Sequence, residues 1–528
     1  MLLPASRLLQ VYNAVKTDKH SSEDRAVLIF VANGDVDSLC SMVQLESILA
    51  KDDFTTSVIP VENYEDVQEY CKKENLGETE DLKSVFMINC GATDDVRQHC
   101  DLSDNVRLVI IDSHRPIWHG YNVEEDQNTL VVLDDDDPVP RHEMPEYTRQ
   151  DAELHLGGSL RHRDNLEASN SEGEEEEEDE DEEMTEQGVT DQFILQRVDP
   201  AQYTQWRQEL EDHVAQHNME EEQEEDIEQY GNNRAKHRPT VVRIEGLRLA
   251  FLKRWTLCSS MLYNHHVATR FQTWREAGKK QVDFLLSKLN IRMEQHQASF
   301  TSMHPAVEPH LREKLPQTVA TFGLNWELLK YDGFELHYKN DFKLPAMDHV
   351  MAITAMLGRP RTPERTPQDI FQEALDCLYP QTKEGMALLT KGIERAKDVA
   401  VQIVEQGGLA LTRKQVQGQR GFWYLDLANI SFTGHHEFHH PSTLLKLAIF
   451  LRDANAQRMK STAGLLVSNP FAMPLLEALK DCGATGGYMQ ATFDSSIFVI
   501  KKHLVTAFCE EMRAVVSAYQ TCGAPVMD

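Results

Sequence analysis

The chain has 528 residues, of which 41% are hydrophobic, and a formal net charge of −33 at pH 7. This length allows two or three domains with hydrophobic cores, while the negative charge disfavours long-range attraction to duplex DNA and favours partners with basic faces. The nine cysteines include no Cys-x-x-Cys pair, and no segment approaches 18 uninterrupted apolar residues. We therefore expect an intracellular protein without a disulfide framework, a structural zinc site or a membrane span.

Residues 1–140 alternate between helix and strand signals. Apolar residues at Val11, Tyr12 and Val15 predict an amphipathic helix at the N-terminus. The predicted strands that follow are Ala26–Ala32, Thr55–Val61, Ser84–Asn89, Arg107–Ile111 and Thr129–Leu133, with helices at Leu39–Ala50 and Tyr64–Lys73 between them. This alternation predicts a mostly parallel sheet covered on both faces.

A strongly acidic run then interrupts the pattern. Glu172–Glu186 holds twelve acidic residues and almost nothing apolar, so it cannot bury enough surface to fold. We predict a disordered, solvated loop over residues 166–190. The same composition also suits a docking strip for a basic partner, and the two interpretations are compatible.

The central region, residues 191–350, has mainly helical patterns, most clearly over Leu247–Asn290, and many cations for so acidic a chain. Two interpretations of these cations stay open: a solvated helix face, or a basic surface that contacts a partner or a strand of DNA. The candidate contact residues are Arg270, Arg275, Lys279 and Lys280.

The C-terminal region, residues 351–528, returns to an α/β pattern. The predicted elements are a long helix at Pro367–Glu405, a strand at Phe422–Leu427, a helix at Ser442–Ala454, a strand at Ala463–Val467, a helix at Met473–Asp481 and a strand at Ser496–Ile500. His436–His440 matches the HExxH pattern of zinc proteases, but that motif requires a helix. Because Gly434 precedes it and Pro441 follows, we expect a loop, with Ser442 or Thr443 as the N-cap of the next helix.

Polar residues of metal-binding type follow two of the predicted strands. Asp35 and Asp37 come just after the first strand of the alternating region, and Asp112 and His114 follow its fourth. Carboxylates and a histidine at the carboxyl ends of parallel strands are where a metal-dependent site would lie. The alternative is structural: the first pair caps the next helix, and the second pair forms hydrogen bonds within its turn.

These motifs resemble those of the DHH phosphoesterase superfamily, which includes the RecJ exonucleases. In active members of that superfamily, the motifs hold paired divalent cations that activate water against a phosphodiester. The resemblance places a further ligand at Asp191. Here, however, Asn33, Asn89 and Ser113 stand where the family has charged or imidazole ligands, and neutral groups hold two hard cations poorly.

A closer resemblance is to the cell-division-control protein 45 family. It is carried by Asp35-Val-Asp37, Asn89-Cys-Gly-Ala92 and Asp112-Ser-His-Arg-Pro116, continues through the acidic run and the segment Trp255–Met261, and spans nearly the whole chain. It implies an α/β protein with three parts: a DHH-like parallel-sheet domain over residues 1–165, an all-helical insert over 191–350 that contacts the helicase, and a C-terminal α/β domain over 351–528 similar to the DHH-associated domain.

The resemblance also implies a function. Members of this family join the minichromosome-maintenance hexamer and the GINS complex in the nuclear replicative helicase, so we expect a non-catalytic scaffold without cofactor or bound metal, with single-stranded DNA as a further contact. Asp35, Asp37, Asp112, His114 and Asp191 are then vestigial ligand positions. The main alternative is a DHH-type, metal-dependent single-strand exonuclease or phosphodiesterase. A regulatory module that only retains the fold is a third possibility.

Overall fold

The computed structural model describes residues 2–20, 26–76, 82–103, 105–115, 117–122, 128–133, 239–304, 306–338, 342–359, 365–380, 382–419, 422–425, 440–455 and 502–521, with short pieces at 427, 438, 478, 482, 489–491 and 498–500. One compact unit comprises Met1–Thr148 and Arg238–Asp528. The second unit, Arg149–His237, lies outside the described residues, and with it the predicted acidic loop and Asp191. The predicted elements at Ala463–Val467 and Met473–Asp481 also lie outside them, save for isolated positions.

The described elements alternate strand and helix at the N-terminus and are mainly helical afterwards. The strands are β1 Leu2–Pro4, β2 Ala26–Ala32, β3 Thr55–Val61, β4 Ser84–Ile88, β5 Arg107–Ile111, β6 Thr129–Leu133, β7 Thr240–Leu247, β8 Lys330–His337, β9 Lys343–Pro345, β10 Gln417–Gln419, β11 Phe422–Tyr424, β12 Met489–Ala491 and β13 Phe498–Ile500. The helices are α1 Leu8–His20, α2 Val36–Lys51, α3 Tyr64–Lys73, α4 Val96–Cys100, α5 Leu257–Leu262, α6 His265–Phe271, α7 Glu276–Lys288, α8 Met293–His296, α9 Val307–Thr321, α10 Ala346–Leu357, α11 Pro367–Leu378, α12 Lys383–Thr412, α13 Pro441–Ala454 and α14 Val505–Thr521.

The N-terminal sheet has six strands in the order β1-β6-β5-β4-β2-β3, and every neighbouring pair is parallel. The mixed α/β class is thereby confirmed, together with the five predicted strands in this region. β1 differs from expectation, because Leu2–Pro4 forms an edge strand beside β6 and the helix begins only at Leu8. A three-residue strand carries almost no local signal, since its backbone bonds go to a strand more than a hundred residues away.

Both faces of this sheet are buried. Phe30 on β2 faces a core shared with α3 and α4, and Ile29 faces the opposite core with α1 and α2. Ile353 of α10 and Phe371 of α11 also belong to the second core. Parallel strands need cover on both faces. Here α10 and α11, more than 200 residues after the last strand of the sheet, help to cover its second face. The predicted division into three domains stays a prediction.

The central region adds a small sheet to the helices that the sequence predicts. β7, β8 and β9 form a three-stranded antiparallel sheet. Along β7 the exposure alternates from residue to residue, which is the period of a strand with one covered face. This sheet differs from the all-helical insert that the resemblance implies. Helices α5, α6, α7 and α9 pack around a separate apolar core that includes Leu257, Val282 and Leu311.

Two details differ from expectation in the C-terminal region. The long helix predicted over Pro367–Glu405 is two helices, because Pro380 lies in the break and Thr382 begins the second one by accepting a hydrogen bond from the Gly385 N–H at 3.0 Å. The N-cap of α13 is His440 rather than Ser442 or Thr443, since its Nδ1 accepts from the Ser442 N–H at 3.3 Å. His440 is also the second histidine of the HExxH pattern, whereas His436 and Glu437 of that pattern lie outside the described residues.

The close approach of α7 to the end of α6 predicts that a larger residue at Gly278 destabilises the protein. A Cβ at Gly278 of α7 would lie 2.4 Å from the carbonyl oxygens of Phe271 and Gln272, whereas a Cβ at Gly246 of β7 would meet only Arg312, at 3.9 Å. We expect Gly278→Ala to lower the free energy of unfolding by about 1–3 kcal/mol despite the better helix propensity of alanine. Gly246→Ala is the control and should change it by less than about 1 kcal/mol. Denaturant unfolding of both variants measures this, and equal stabilities would show that α6 and α7 can move apart freely.

Candidate functional site

The predicted ligand positions lie at one edge of the N-terminal sheet. β2, β4 and β5 are neighbours in the order β5-β4-β2, and all run in the same direction. Their carboxyl ends therefore place Asp35, Asn89 and Asp112 side by side, as expected for an open α/β sheet. Asp37 and His114 belong to the same two loops. We refer to this set of residues as the carboxyl edge.

Asp35 is engaged by the helix that follows it. It is the N-cap of α2, and its Oδ1 accepts a hydrogen bond from the Ser38 N–H at 2.7 Å. Its Oδ2 accepts from the Ser38 hydroxyl, also at 2.7 Å. An N-cap of this kind stabilises a helix by about 1 kcal/mol, and negative charge is favoured there.

Asn89 joins the ends of all three strands. Its Nδ2 donates to Asp35 Oδ2 at 2.8 Å, and its Oδ1 accepts from the Ser113 hydroxyl at 2.7 Å and from the Ser113 N–H at 3.2 Å. The backbone of Asn89 has φ 51°, a left-handed conformation in which asparagine is among the tolerated residues. One amide side chain thus donates toward β2 and accepts from β5, which an aspartate could not do while ionised.

Asp112 is fully buried and its oxygens are occupied. Oδ2 accepts from the Ala92 N–H at 2.9 Å, while Oδ1 accepts from the His114 N–H at 2.9 Å and lies 2.7 Å from His114 Nδ1. Arg115 Nη1 donates to the carbonyl oxygens of Asp112 and His114 at 3.1 and 2.8 Å. These bonds fix the turn after β5. The Asp112 carboxylate also orients the imidazole of His114.

Asn33 and Asp37, the other two ligand positions of the loop after β2, have different surroundings. Asp37 is exposed in the first turn of α2. Asn33 donates from Nδ2 to Glu62 Oε1 at 3.3 Å, beside the end of β3. Among the described residues, the carboxyl edge does not bring three carboxylate, imidazole or thiolate ligand atoms within 4.8 Å of one another.

Cys90 offers no nucleophile at this edge. Burial, reinforced by the nearby Asp112 carboxylate, raises the pKa of the Cys90 thiol well above its usual range. A thiol that stays protonated is a poor nucleophile and a poor metal ligand. The hydrogen bonds of Asn89 and Ser113 were not anticipated from the sequence. Their signal was present, since an amide and a hydroxyl, unlike carboxylates, both donate and accept.

The predicted contact cations lie on two successive helices of the central region. Arg270 lies at the end of α6, Arg275 is the N-cap of α7, and Lys279 and Lys280 lie in the first turns of α7. We call these four residues the basic surface. All four are exposed, and none forms an ion pair or side-chain hydrogen bond with another described residue. Their role stays a prediction.

An exposed aromatic ring borders the basic surface. Phe284 is 55% exposed and lies one helical turn beyond Lys280 on α7. Its ring is 5.8 Å from that of Phe322, and Lys288 Nζ is 5.1 Å from its centroid. Cations beside an accessible ring are the combination that binds single-stranded nucleic acid. The sequence did not single out Phe284, because an apolar residue at helical spacing normally indicates a core position.

None of the helices in the described part of the chain is long and apolar enough to cross a lipid bilayer.

Comparisons with known proteins converge on one family. The CDC45 family model matches residues 27–187 and 185–482. The cell division control protein 45 homolog of Homo sapiens is 23% identical over 426 residues, covering 71% of this chain and 72% of that protein. The homolog of Dictyostelium discoideum is 21% identical over an alignment of 670 residues, covering 98% and 99%. The crystal structure of CDC45 from Entamoeba histolytica shares the fold with a TM-score of 0.63 at 19% identity, covering 98% of this chain and 100% of that one.

Proposed function

Because the chain belongs to the CDC45 family, we propose that it acts as a non-catalytic DNA replication factor in the nucleus. In this proposal it is a subunit of the replicative helicase and bridges the minichromosome-maintenance hexamer and the GINS complex. It serves both initiation and elongation, with single-stranded DNA as a further contact.

The observation that carries the non-catalytic part is the hydrogen-bonded closure of the carboxyl edge. Two adjacent divalent cations need several converging anionic ligands, because the ions repel each other strongly. Here Asn89 links Asp35 to Ser113, and the Asp112 oxygens accept from backbone and imidazole groups. Hydrogen bonds between side chains thus connect the loops after β2, β4 and β5, which bound cations would connect in an active phosphoesterase.

The charge distribution supports a binding role. The chain is strongly acidic overall, so an unpaired basic surface on α6 and α7 stands out against its surroundings. Such a surface suits an acidic partner face or a phosphate backbone at short range, since the long-range field of the protein repels both. The acidic run at Glu172–Glu186 would suit the opposite kind of partner, with a basic face.

A nuclease assay tests the proposal against its main rival. We expect no release of nucleotides from end-labelled single-stranded DNA in Mn²⁺ or Mg²⁺ above that of a protein-free sample, because too few anionic ligands converge. The control variant is Asp35→Ala with Asp37→Ala. Asp112 is left intact, since its buried carboxylate supports the turn after β5. Release by the wild-type protein that vanishes in this variant would establish the exonuclease instead.

An assembly assay tests whether the former ligand positions matter for binding. We expect Asp35→Ala together with His114→Ala to co-purify with the hexamer and GINS as the wild-type protein does. The substitutions remove the N-cap of α2, the acceptor of the Asn89 Nδ2 hydrogen bond and one turn contact, at a cost of about 1–3 kcal/mol of stability. They touch no basic-surface residue. Circular dichroism verifies folding of the variant. Loss of assembly by a folded variant would contradict the vestigial interpretation.

A further inference from the structure

Three separate helices of the central core bring a cysteine, an aspartate and a histidine together. Cys258 lies on α5, Asp283 on α7, and His296 is the last residue of α8. One ligand atom from each lies within 4.8 Å of the other two. The cluster is in the helical region, apart from the carboxyl edge. Its members are 25 and 13 positions apart in sequence, so no short motif announces it.

The polar groups of this cluster are not satisfied by one another. His296 is only 2% exposed, yet its Nδ1 has no hydrogen-bond partner among the described residues. Its Nε2 lies 3.8 Å from Asp283 Oδ1, beyond the range of a hydrogen bond. Buried polar atoms are nearly always paired, and Nε2, the ring nitrogen that faces Asp283, has no hydrogen bond to it at that distance.

The spacing suits a shared cation. A tetrahedral ion with bonds of about 2.0–2.3 Å holds its ligand atoms roughly 3.3–3.8 Å apart. The distance between His296 Nε2 and Asp283 Oδ1 falls at the upper end of that range, so small side-chain rotations would close the site.

We propose that Cys258, Asp283 and His296 form a binding site for Zn²⁺ or a similar borderline-soft divalent cation. Thiolate, imidazole and carboxylate are the usual zinc ligands, whereas Mg²⁺ and Ca²⁺ prefer all-oxygen sites. Three protein ligands leave the fourth position to water. On binding, the metal–sulfur bond forms, the S–H bond of Cys258 breaks, and the proton leaves to solvent.

Binding of a cation has to displace the proton of the Cys258 thiol. Burial, assisted by Asp283, raises the pKa of the Cys258 thiol to about 11, and burial lowers the pKa of His296. The imidazole is therefore neutral and able to coordinate, whereas the thiol becomes a ligand only when the cation displaces its proton.

The consequence is mechanical. Asp283 belongs to α7, the helix that carries Lys279 and Lys280 of the basic surface. Cys258 and His296 belong to two of the helices that pack against α7. An ion bound by all three ties α7 to α5 and α8 and fixes the platform on which the basic surface lies. The expectation from the cysteine spacing, that the chain has no structural zinc site, would then fail because the ligands come from separate elements.

Cobalt substitution tests the site in the full-length protein. After treatment with a chelator and its removal, we expect Co²⁺ to produce a thiolate charge-transfer absorption at one equivalent, and Zn²⁺ to abolish that absorption by displacement. Cys258→Ser should remove the absorption, and His296→Gln should weaken Co²⁺ binding by at least about 10-fold. Cys509→Ser is the matched control, a half-buried cysteine on α14 whose replacement should leave the absorption unchanged.

The design separates this site from the histidine-rich segment before α13. His435, His436 and His439 can bind Co²⁺ without a thiolate, so binding there gives no charge-transfer absorption. Absence of the absorption in the wild-type protein, or its persistence in Cys258→Ser, overturns the proposal. The wild-type measurement can refute the proposal by itself, even if a variant folds poorly.

Discussion

Reversal of the basic surface, with Arg270, Arg275, Lys279 and Lys280 all changed to glutamate, should weaken single-stranded DNA binding at low salt by at least about tenfold. The four side chains are exposed and have no ionic partner among the described residues, so in the free protein their charge is available to a ligand. Removing one phosphate-binding cation should also lower the slope of log K against log salt by about 0.7, and removing four should lower it by about 3.

Fluorescence anisotropy with a labelled oligonucleotide, titrated across a salt series, measures both quantities. The matched control reverses Lys72, Lys73, Lys383 and Lys391, which are also exposed and give the same change in net charge. An equal decrease in affinity for both variants would assign the effect to the overall field rather than to this surface. Unchanged affinity in both variants would show that the basic surface does not contact DNA and is a solvated helix face.

The same two variants distinguish DNA from protein partners. When the helicase is reconstituted from the purified hexamer and GINS, a basic surface that contacts protein predicts loss of co-purification for the first variant and retention for the control. Phe284→Ala distinguishes the two further. Stacking of a base on the exposed ring contributes about 1–3 kcal/mol, so the substitution should weaken DNA binding, whereas a purely ionic contact with a protein should be unaffected.

Changing Asn89 to aspartate should destabilise the protein at neutral pH in the presence of a chelator by about 2–4 kcal/mol. The substitution replaces the Nδ2 donor, 2.8 Å from Asp35 Oδ2, with a second carboxylate oxygen. Two anions then face each other across a partly buried gap. Against a typical total stability of about 5–15 kcal/mol, this is a large decrease.

Two conditions should reverse that destabilisation. Lowering the pH lets the two carboxylates share a proton, so the Asn89→Asp variant should recover toward wild-type stability below about pH 5. Mn²⁺ or Mg²⁺ should also restore part of the stability, because a cation between Asp35 and residue 89 neutralises the repulsion. Thermal unfolding across pH and metal concentration measures both effects.

Asn89→Gly is the matched control. Glycine accepts the left-handed backbone at this position and removes both side-chain hydrogen bonds without adding charge. It should therefore be destabilised without any rescue by acid or metal. If Asn89→Asp were as stable as the wild-type protein in chelator, the closure of the carboxyl edge would not depend on the amide, and the principal support for a non-catalytic role would be removed.

Most of the N-terminal sheet could be predicted from sequence because its signals are local. β2, β3, β5 and β6 coincide with the predicted strands, and α3 with the predicted helix over Tyr64–Lys73. Buried parallel strands appear as apolar runs, and helices begin at capping residues such as Asn63, whose side chain accepts from the Asp66 N–H. The positions of Asp35 and Asp112 at one sheet edge follow from the same alternation.

Other features depend on partners distant in the chain. β1 exists only because β6 pairs with it, and the β7–β9 sheet joins residues more than 80 positions apart. Cover of the first sheet by α10 and α11 likewise requires the folded chain.

The sequence by itself determined the strand–helix order, the absence of charged ligands at residues 33, 89 and 113, and the family motifs, since all of these are written in adjacent residues. Only the tertiary structure decided that Asn89 bridges Asp35 and Ser113, and that Cys258, Asp283 and His296 meet. Hydrogen bonding and metal coordination act over about 3–4 Å in space, and distances that short between separate elements are set by packing rather than by sequence spacing.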